Sequence, residues 1–185
     1  MSIKHETKFN IRKMTYLAIF TALVLVLQTV FAPLIGAATG LSPALVLIPI
    51  VLGVSVCGLG AGAWLGAVFS FIVMFDPTTV PFLQYNPILT VLLVFLKGIG
   101  AGLIAGCVFK LLEKKNKYVA IFLAALAAPI ANTGIFVLGC YLFFLELTGL
   151  GIYSLFITLN FAVELVINVV LVPIVYRILE ITGQK

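Results

Sequence analysis

The sequence predicts an all-α membrane protein, a bundle of six transmembrane helices with both termini on the cytoplasmic side. Three observations predict it. Of 185 residues, 63% are hydrophobic and only 9% are charged, with a mean hydropathy of +1.29, whereas a water-soluble domain carries roughly 25% charged residues. Several apolar runs reach the ~20 residues that a helix needs to cross a bilayer. The Lys and Arg residues gather in alternate connections, as the positive-inside rule requires. At this length no soluble catalytic or nucleic-acid-binding domain is expected beside the bundle, so the formal net charge of +5 is assigned to loop topology rather than to a nucleic-acid partner.

Residues 1–13 form a basic leader carrying Lys4, Lys8, Arg12 and Lys13. The first span covers 14–35; its apolar run is long and leads into further spans, so it is expected to remain as an uncleaved helix rather than act as a secretory signal. Pro33 and the small residues of 36–40 are expected to form a connection and a gate for ligand. The stretch 42–75 is almost wholly apolar and too long for one helix. Gly58, Gly60 and Gly62 supply a turn without a Cβ penalty, which divides it into spans 42–57 and 62–75. A loop with Asp76, Thr78, Thr79 and Pro81 leads to the fourth span, 87–109. Lys110, Lys114, Lys115 and Lys117 mark the next connection, followed by span 118–144, a loop over 146–151, and span 154–176. The whole of 1–185 is one membrane domain.

With six spans, ten of the eleven Lys and Arg residues fall on the cytoplasmic side and none in the outer loops. Tyr16, Tyr118 and Tyr176 lie at inner ends and Tyr85, Tyr141 and Tyr153 at outer ends, as an aromatic belt predicts. Cys57, Cys107 and Cys140 have no CxxC spacing and no histidine nearby, and read as small buried hydrophobes. No metal site or cofactor is expected.

Lys97, Asn132 and Glu164 lie deep in apolar spans, where an unpaired charge costs about 2.5 to 3.5 kcal/mol. At ~1.5 Å per residue, Lys97 is ~15 Å from Pro87 and Glu164 ~15 Å from Ser154, and Asn132 on the antiparallel fifth span comes to a similar depth. Asn160, Glu164 and Asn168 recur at i, i+4 and i+8, one face of a helix; Asn86, Thr90 and Lys97 share a face of the fourth span. These stripes predict the walls of a polar cavity opening outward, capped by the loop with Asp76, Thr78, Thr79, Gln84 and Tyr85. A structural Lys97–Glu164 pair is the alternative, compatible with the cavity. A pair alone has no need of the further amides and hydroxyls on the same faces.

Small residues recur at i, i+4 spacing in Ala18 and Ala22, in Gly62, Gly66 and Ser70, and in Gly98, Gly102 and Gly106, each a groove for close helix contact. For the last two series, packing within the chain is the expected use.

Size, six spans, basic leader and the first-span segment Ala18-Ile19-Phe20-Thr21-Ala22 together resemble the substrate-binding S components of energy-coupling factor (ECF) vitamin transporters, over nearly the whole chain. The resemblance implies that Ala18 and Ala22 face a shared transmembrane coupling subunit driven by two cytoplasmic ATPases, in a bacterial cell membrane. Asn86-Pro87, Thr90, Lys97-Gly98, Gly102, Gly106, Asn132-Thr133 and Phe136 look most like the pantothenate-type members, which tend to carry a basic residue, often arginine, where this chain has Lys97. A buried ammonium suits the vitamin's carboxylate, and asparagine and threonine suit its amide and hydroxyls. Lysine gives up the bidentate fork of arginine, and Glu164 neutralises Lys97 in a way that suits a neutral ligand such as riboflavin. The single tryptophan, Trp64, lies at an inner end, which fits a thiamin-type site less well.

The mechanism implied is capture of a vitamin from outside, then reorientation of the bundle against the coupling subunit. No GxxxxGK[ST] motif occurs, so energy has to come from a partner. Two other classes compete. A membrane scaffold of the cell-wall machinery shares the size and hydrophobicity but needs no polar layer at mid-depth. An enzyme needs paired acids, a His/Asp set or a serine with its base, whereas Asp76, Glu146 and Glu164 are scattered with no histidine near them. A small secondary transporter is disfavoured by weak internal repetition.

Overall fold

A computed structural model describes the backbone of residues 3–39, 44–148 and 152–183, and side chains over 11–39, 44–148 and 158–182. Gly40, the expected start of the second span at 42–43, the loop residues 149–151 and the terminal Lys185 lie outside the described residues, as do the side chains of His5 and Tyr153. The described chain is helical with short turns: α1 (Ile3–Val26), a π-turn (Leu27–Phe31), α2 (Ala32–Thr39), α3 (Leu47–Cys57), α4 (Leu59–Val73), a 3₁₀ turn (Pro77–Thr79), α5 (Val80–Tyr85), α6 (Pro87–Leu112), α7 (Lys117–Phe143), α8 (Leu145–Thr148) and α9 (Ile152–Gly183). Four stretches are long and apolar enough to cross a membrane: Ile11–Thr39, Pro87–Leu112, Lys117–Phe143 and Thr158–Thr182. A fifth is reached if α4 and the Pro77–Tyr85 segment, bent by 78°, count as one broken span.

Three expectations about the first third of the chain need correction. The connection expected at Pro33 and 36–40 is helical through Thr39. Pro33 lacks the N–H for a helical bond and its ring clashes with the carbonyl four residues back; the wider π-turn just before it, in which the Ala32 amide reaches back to the Leu27 carbonyl, changes the register at that point. The break between the second and third helices falls at Gly58 alone, whose φ of +95° only glycine adopts without strain; Gly60 and Gly62 are inside α4. Finally, α3 has 11 residues, about 16 Å of helix, roughly half the ~30 Å hydrocarbon thickness. It begins at Leu47, later than the expected 42, and is too short to cross that thickness alone.

The sequence explains the remaining ends. Asn86 caps α6 by accepting from the Leu89 amide, with Pro87 at the first helical position where no N–H is needed. Asn116 caps α7 through the Tyr118 and Val119 amides. Asp76 accepts from the amide and hydroxyl of Thr78, which fixes the bend after α4.

α3 is the hub of the bundle, packed on α1, α4, α6, α7 and α9, while α6 lies between α4 and α7 and α7 between α6 and α9. Leu47, Ile50, Val51 and Leu65 are fully enclosed beside Ala101, Ala105, Ala124 and Ala128, small residues that let α6 and α7 approach closely. The closest approach is between α4 and α6. A Cβ on Gly62, Gly66, Gly98 or Gly102 would run into the facing helix's backbone, and the Ser70 hydroxyl donates to the carbonyls of Gly66 and Val94, 2.8 and 2.9 Å away. Basic residues crowd one end of the bundle, hereafter the basic end, where the Cys57 thiol donates to the Lys13 carbonyl at 3.4 Å and Lys117 lies 3.9 Å from Glu180. At the far end Phe82, Leu93, Cys140 and Phe144 form a second cluster with Phe136 against it.

Candidate functional site

Three of the polar residues singled out above come together. The Asn132 carboxamide on α7 donates to Glu164 Oε1 on α9 at 3.4 Å. The other carboxylate oxygen, Oε2, accepts from the Ala44 amide at 3.3 Å, just before α3. Lys97, on α6, holds its ammonium 4.6 Å from the centroid of the Phe136 ring, one turn along α7 from Asn132. Lys97 and Glu164 form no ion pair with each other among the described residues. Each charge thus has a different immediate partner: Phe136 for Lys97, Asn132 and the Ala44 amide for Glu164.

The depth of this layer follows from the helices. Asn132 is 14 residues along α7 from Tyr118, about 21 Å, and Glu164 is 12 residues from Tyr176, about 18 Å; Tyr118 and Tyr176 face each other at the basic end, their ring centroids 6.4 Å apart. Lys97 is about 15 Å from the far end of α6 at Pro87. Glu164 and Asn132 are 4% and 6% exposed, and Asn168 is fully buried. The Asn168 carboxamide donates to the Glu164 carbonyl at 2.8 Å, yet Asn168 Oδ1 has no donor, and neither has Asn132 Oδ1. Buried carboxamide oxygens in a finished core are paired in the large majority of cases. Here two of them, on the asparagines that bond the Glu164 side chain and backbone, accept no hydrogen bond.

The other residues are placed differently. Asn86 is engaged as the α6 cap, and Thr90 donates to the carbonyls of Phe82 and Asn86 at 2.7 and 2.8 Å, both at the far end. Tyr85 is exposed and its hydroxyl donates to Glu146 at 3.0 Å, tying α5 to α8. Asn160 lies one turn from Glu164 toward the far end and is half-buried. Asp76, Thr78 and Thr79 are engaged in the bend after α4, Thr79 through the Val73 carbonyl. Phe82 links the layer to this end by ring contacts with Phe136 and Phe144, at 5.8 and 5.2 Å. Ala18 and Ala22 are exposed on α1.

Two participants escape a sequence reading based on side chains in apolar spans. The Ala44 amide is a backbone group and leaves no mark in the residue pattern. Gln28 is 9% exposed inside the π-turn and its carboxamide has no hydrogen-bond partner among the described residues; an amide in a 29-residue apolar helix is the same signal as Asn132. π-turns inside α-helices occur frequently at functional sites.

A family model described as ECF transporter, substrate-specific component, matches residues 12–176. No curated protein and no solved structure matches the chain.

Proposed function

Because the chain belongs to the family of ECF transporter substrate-specific components, a membrane-integral transporter subunit, we propose that it captures a water-soluble vitamin of pantothenate type at the Lys97–Asn132–Glu164 layer. The observation that carries this is the set of unfilled polar positions there. A ligand carboxylate takes the Lys97 ammonium as its counter-ion. Ligand hydroxyl or amide N–H groups donate to Asn132 Oδ1 and to Glu164, and an apolar portion lies on Phe136. Asn160 and Asn168 extend the polar lining along α9, and Asn86, Thr90 and Tyr85 serve the far end, through which ligand passes.

The topology proposed with it is six membrane-embedded helices, α1–α2, α3, α4, α6, α7 and α9, with the basic end in the cytoplasm of a bacterial cell. Arg12, Lys13, Lys110, Lys114, Lys115, Lys117 and Arg177 support that orientation. The partner is the ECF coupling subunit with its ATPases, docked on the exposed Ala18 and Ala22 of α1. A cell-wall scaffold role draws no support from the family match, and the family's transporter role points away from an enzyme.

One observation favours a second substrate. Glu164, buried and bonded to Asn132, brings an acidic group into the same layer as Lys97, which suits a neutral, hydrogen-bonding ligand such as riboflavin. A panel of vitamins on the purified chain in detergent separates the two, since a ligand at a hundred times its dissociation constant stabilises by about 2.7 kcal/mol. A rise in melting temperature with pantothenate, lost in Lys97→Ala, is the expected result. A rise with riboflavin instead moves the assignment to the neutral ligand, and a flat panel removes the vitamin role.

A further inference from the structure

The basic end holds a cavity of about 290 Å³ that vitamin capture does not use, lined by Arg12, Lys13 and Tyr16 of α1, Ser55 and Val56 of α3, Lys117 of α7, and Tyr176, Leu179 and Glu180 of α9. Three cations face one acid. That acid is already engaged: Glu180 accepts from the Tyr118 hydroxyl at 2.9 Å and lies 3.9 Å from the Lys117 ammonium. Arg12, by contrast, has neither an ion pair nor a hydrogen bond from its guanidinium among the described residues. The second, independent observation is Tyr176. Its ring is 9% exposed and packs edge-on to Phe109 and Tyr118 at 6.3 and 6.4 Å, but its hydroxyl has no hydrogen-bond partner among the described residues.

A buried ring that ends in an unpartnered hydroxyl at the edge of a basic cavity is a donor held in place for an acceptor. Arginine adds up to five further N–H donors in a planar fork, which matches the oxygens of a phosphate. Val56 and Leu179 make the wall apolar beside these donors. The volume is at the small end of ligand cavities, roughly 300 to 1,000 Å³. Tyr118 and Tyr176 place it where long apolar helices meet the headgroup layer, and basic pockets between helices at that level bind anionic headgroups.

We infer that this cavity is a phosphate-binding site that takes the headgroup phosphate of an anionic phospholipid, with Arg12 and the Tyr176 hydroxyl as the donors. The inference is independent of which vitamin binds in the polar layer.

The test uses the full chain in detergent with added phosphatidylglycerol, phosphatidylcholine or inorganic phosphate, read by native mass spectrometry and thermal unfolding. Tyr176→Phe keeps the packed ring and removes only the donor; Arg12→Gln changes a side chain exposed at the helix surface. Phosphatidylglycerol is expected to be retained over the zwitterionic lipid, and to bind about tenfold more weakly to each single variant and about a hundredfold more weakly to the double variant, one charged-group hydrogen bond being lost at each position. Protection by inorganic phosphate, with no preference between the lipids and with the same sensitivity to both substitutions, upholds the phosphate site and makes its source a soluble anion. Equal retention of both lipids, unaffected by either substitution and with no protection by phosphate, overturns it. Vitamin binding measured on the same samples tells this failure apart from a failure of the capture role.

Discussion

Neighbouring residues of α6, Lys97 and Gly98, look onto two opposite solutions to packing a helix inside a membrane. Gly98 meets Gly66 of α4 with backbone nearly on backbone, and the Ser70 hydroxyl bridges carbonyls of both helices. Lys97 meets Phe136 of α7, in the layer that holds the Glu164 carboxylate and the carboxamides of Asn132 and Asn168, whose oxygens have no donor. With lipid as apolar as the helices themselves, close van der Waals contact and satisfied hydrogen bonds are what hold such helices together. The α4–α6 seam has both, whereas the α6–α7–α9 layer leaves polar groups unfilled. One face of α6 is therefore closed by backbone contact, whereas the other, though closely packed along much of α7, carries a polar layer with unpartnered carboxamide oxygens.

The largest effect should come from breaking the α4–α6 seam. Gly66→Val drives a branched side chain into the Gly98 carbonyl and Ile99 Cα, backbone atoms that cannot turn aside, and should cost about 3 kcal/mol or more; melting temperature and monodisperse yield in detergent check it, and unchanged stability would mean the two helices are not in contact. On the other face, Lys97→Ala should lower binding at least about a hundredfold, equivalent to about 2.7 kcal/mol, a loss larger than any fall in stability read from the melting temperature without vitamin, since the Glu164 oxygens keep their donors from Asn132 and Ala44. Titration calorimetry separates the two, and retained affinity would take Lys97 out of the site. A smaller loss, about 1 to 3 kcal/mol, is expected for Gly58→Ala from the positive φ alone, since nothing crowds a Cβ there. Smallest is Gly134→Ala on α7, open to its surroundings, which should stabilise by roughly 0.5 to 1 kcal/mol through helix propensity. A large loss there would reveal an occupant of that surface.

The long helices were legible because an apolar run of some 25 residues has few alternatives at this composition. α3 was not. Its apolar residues read as a span, and its start depends on a contact between the Ala44 amide and Glu164, 120 positions away. Nor does sequence distinguish Gly58 from Gly60 and Gly62. Only Gly58 needs its conformation, whereas Gly62 is glycine because Gly102 presses against it. Within the candidate site, Lys97, Asn132 and Glu164 stood out because charge and amide are costly at that depth. Asn86 and Thr90 gave the same signal for a local reason, as cap and as back-bonding hydroxyl. Gln28 carried it too and was concealed by its place near the end of the first span.

The bond from the Ala44 amide to Glu164 sets the beginning of α3 some 20 Å inside the basic end. Mobile ions screen charges over about 8 to 10 Å in ordinary buffers and do so only where water reaches. Charge interactions at that depth should be nearly indifferent to ionic strength. Affinity for a ligand held there should stay level between roughly 50 and 500 mM salt, while anion binding at the water-exposed Arg12 weakens steadily over the same range.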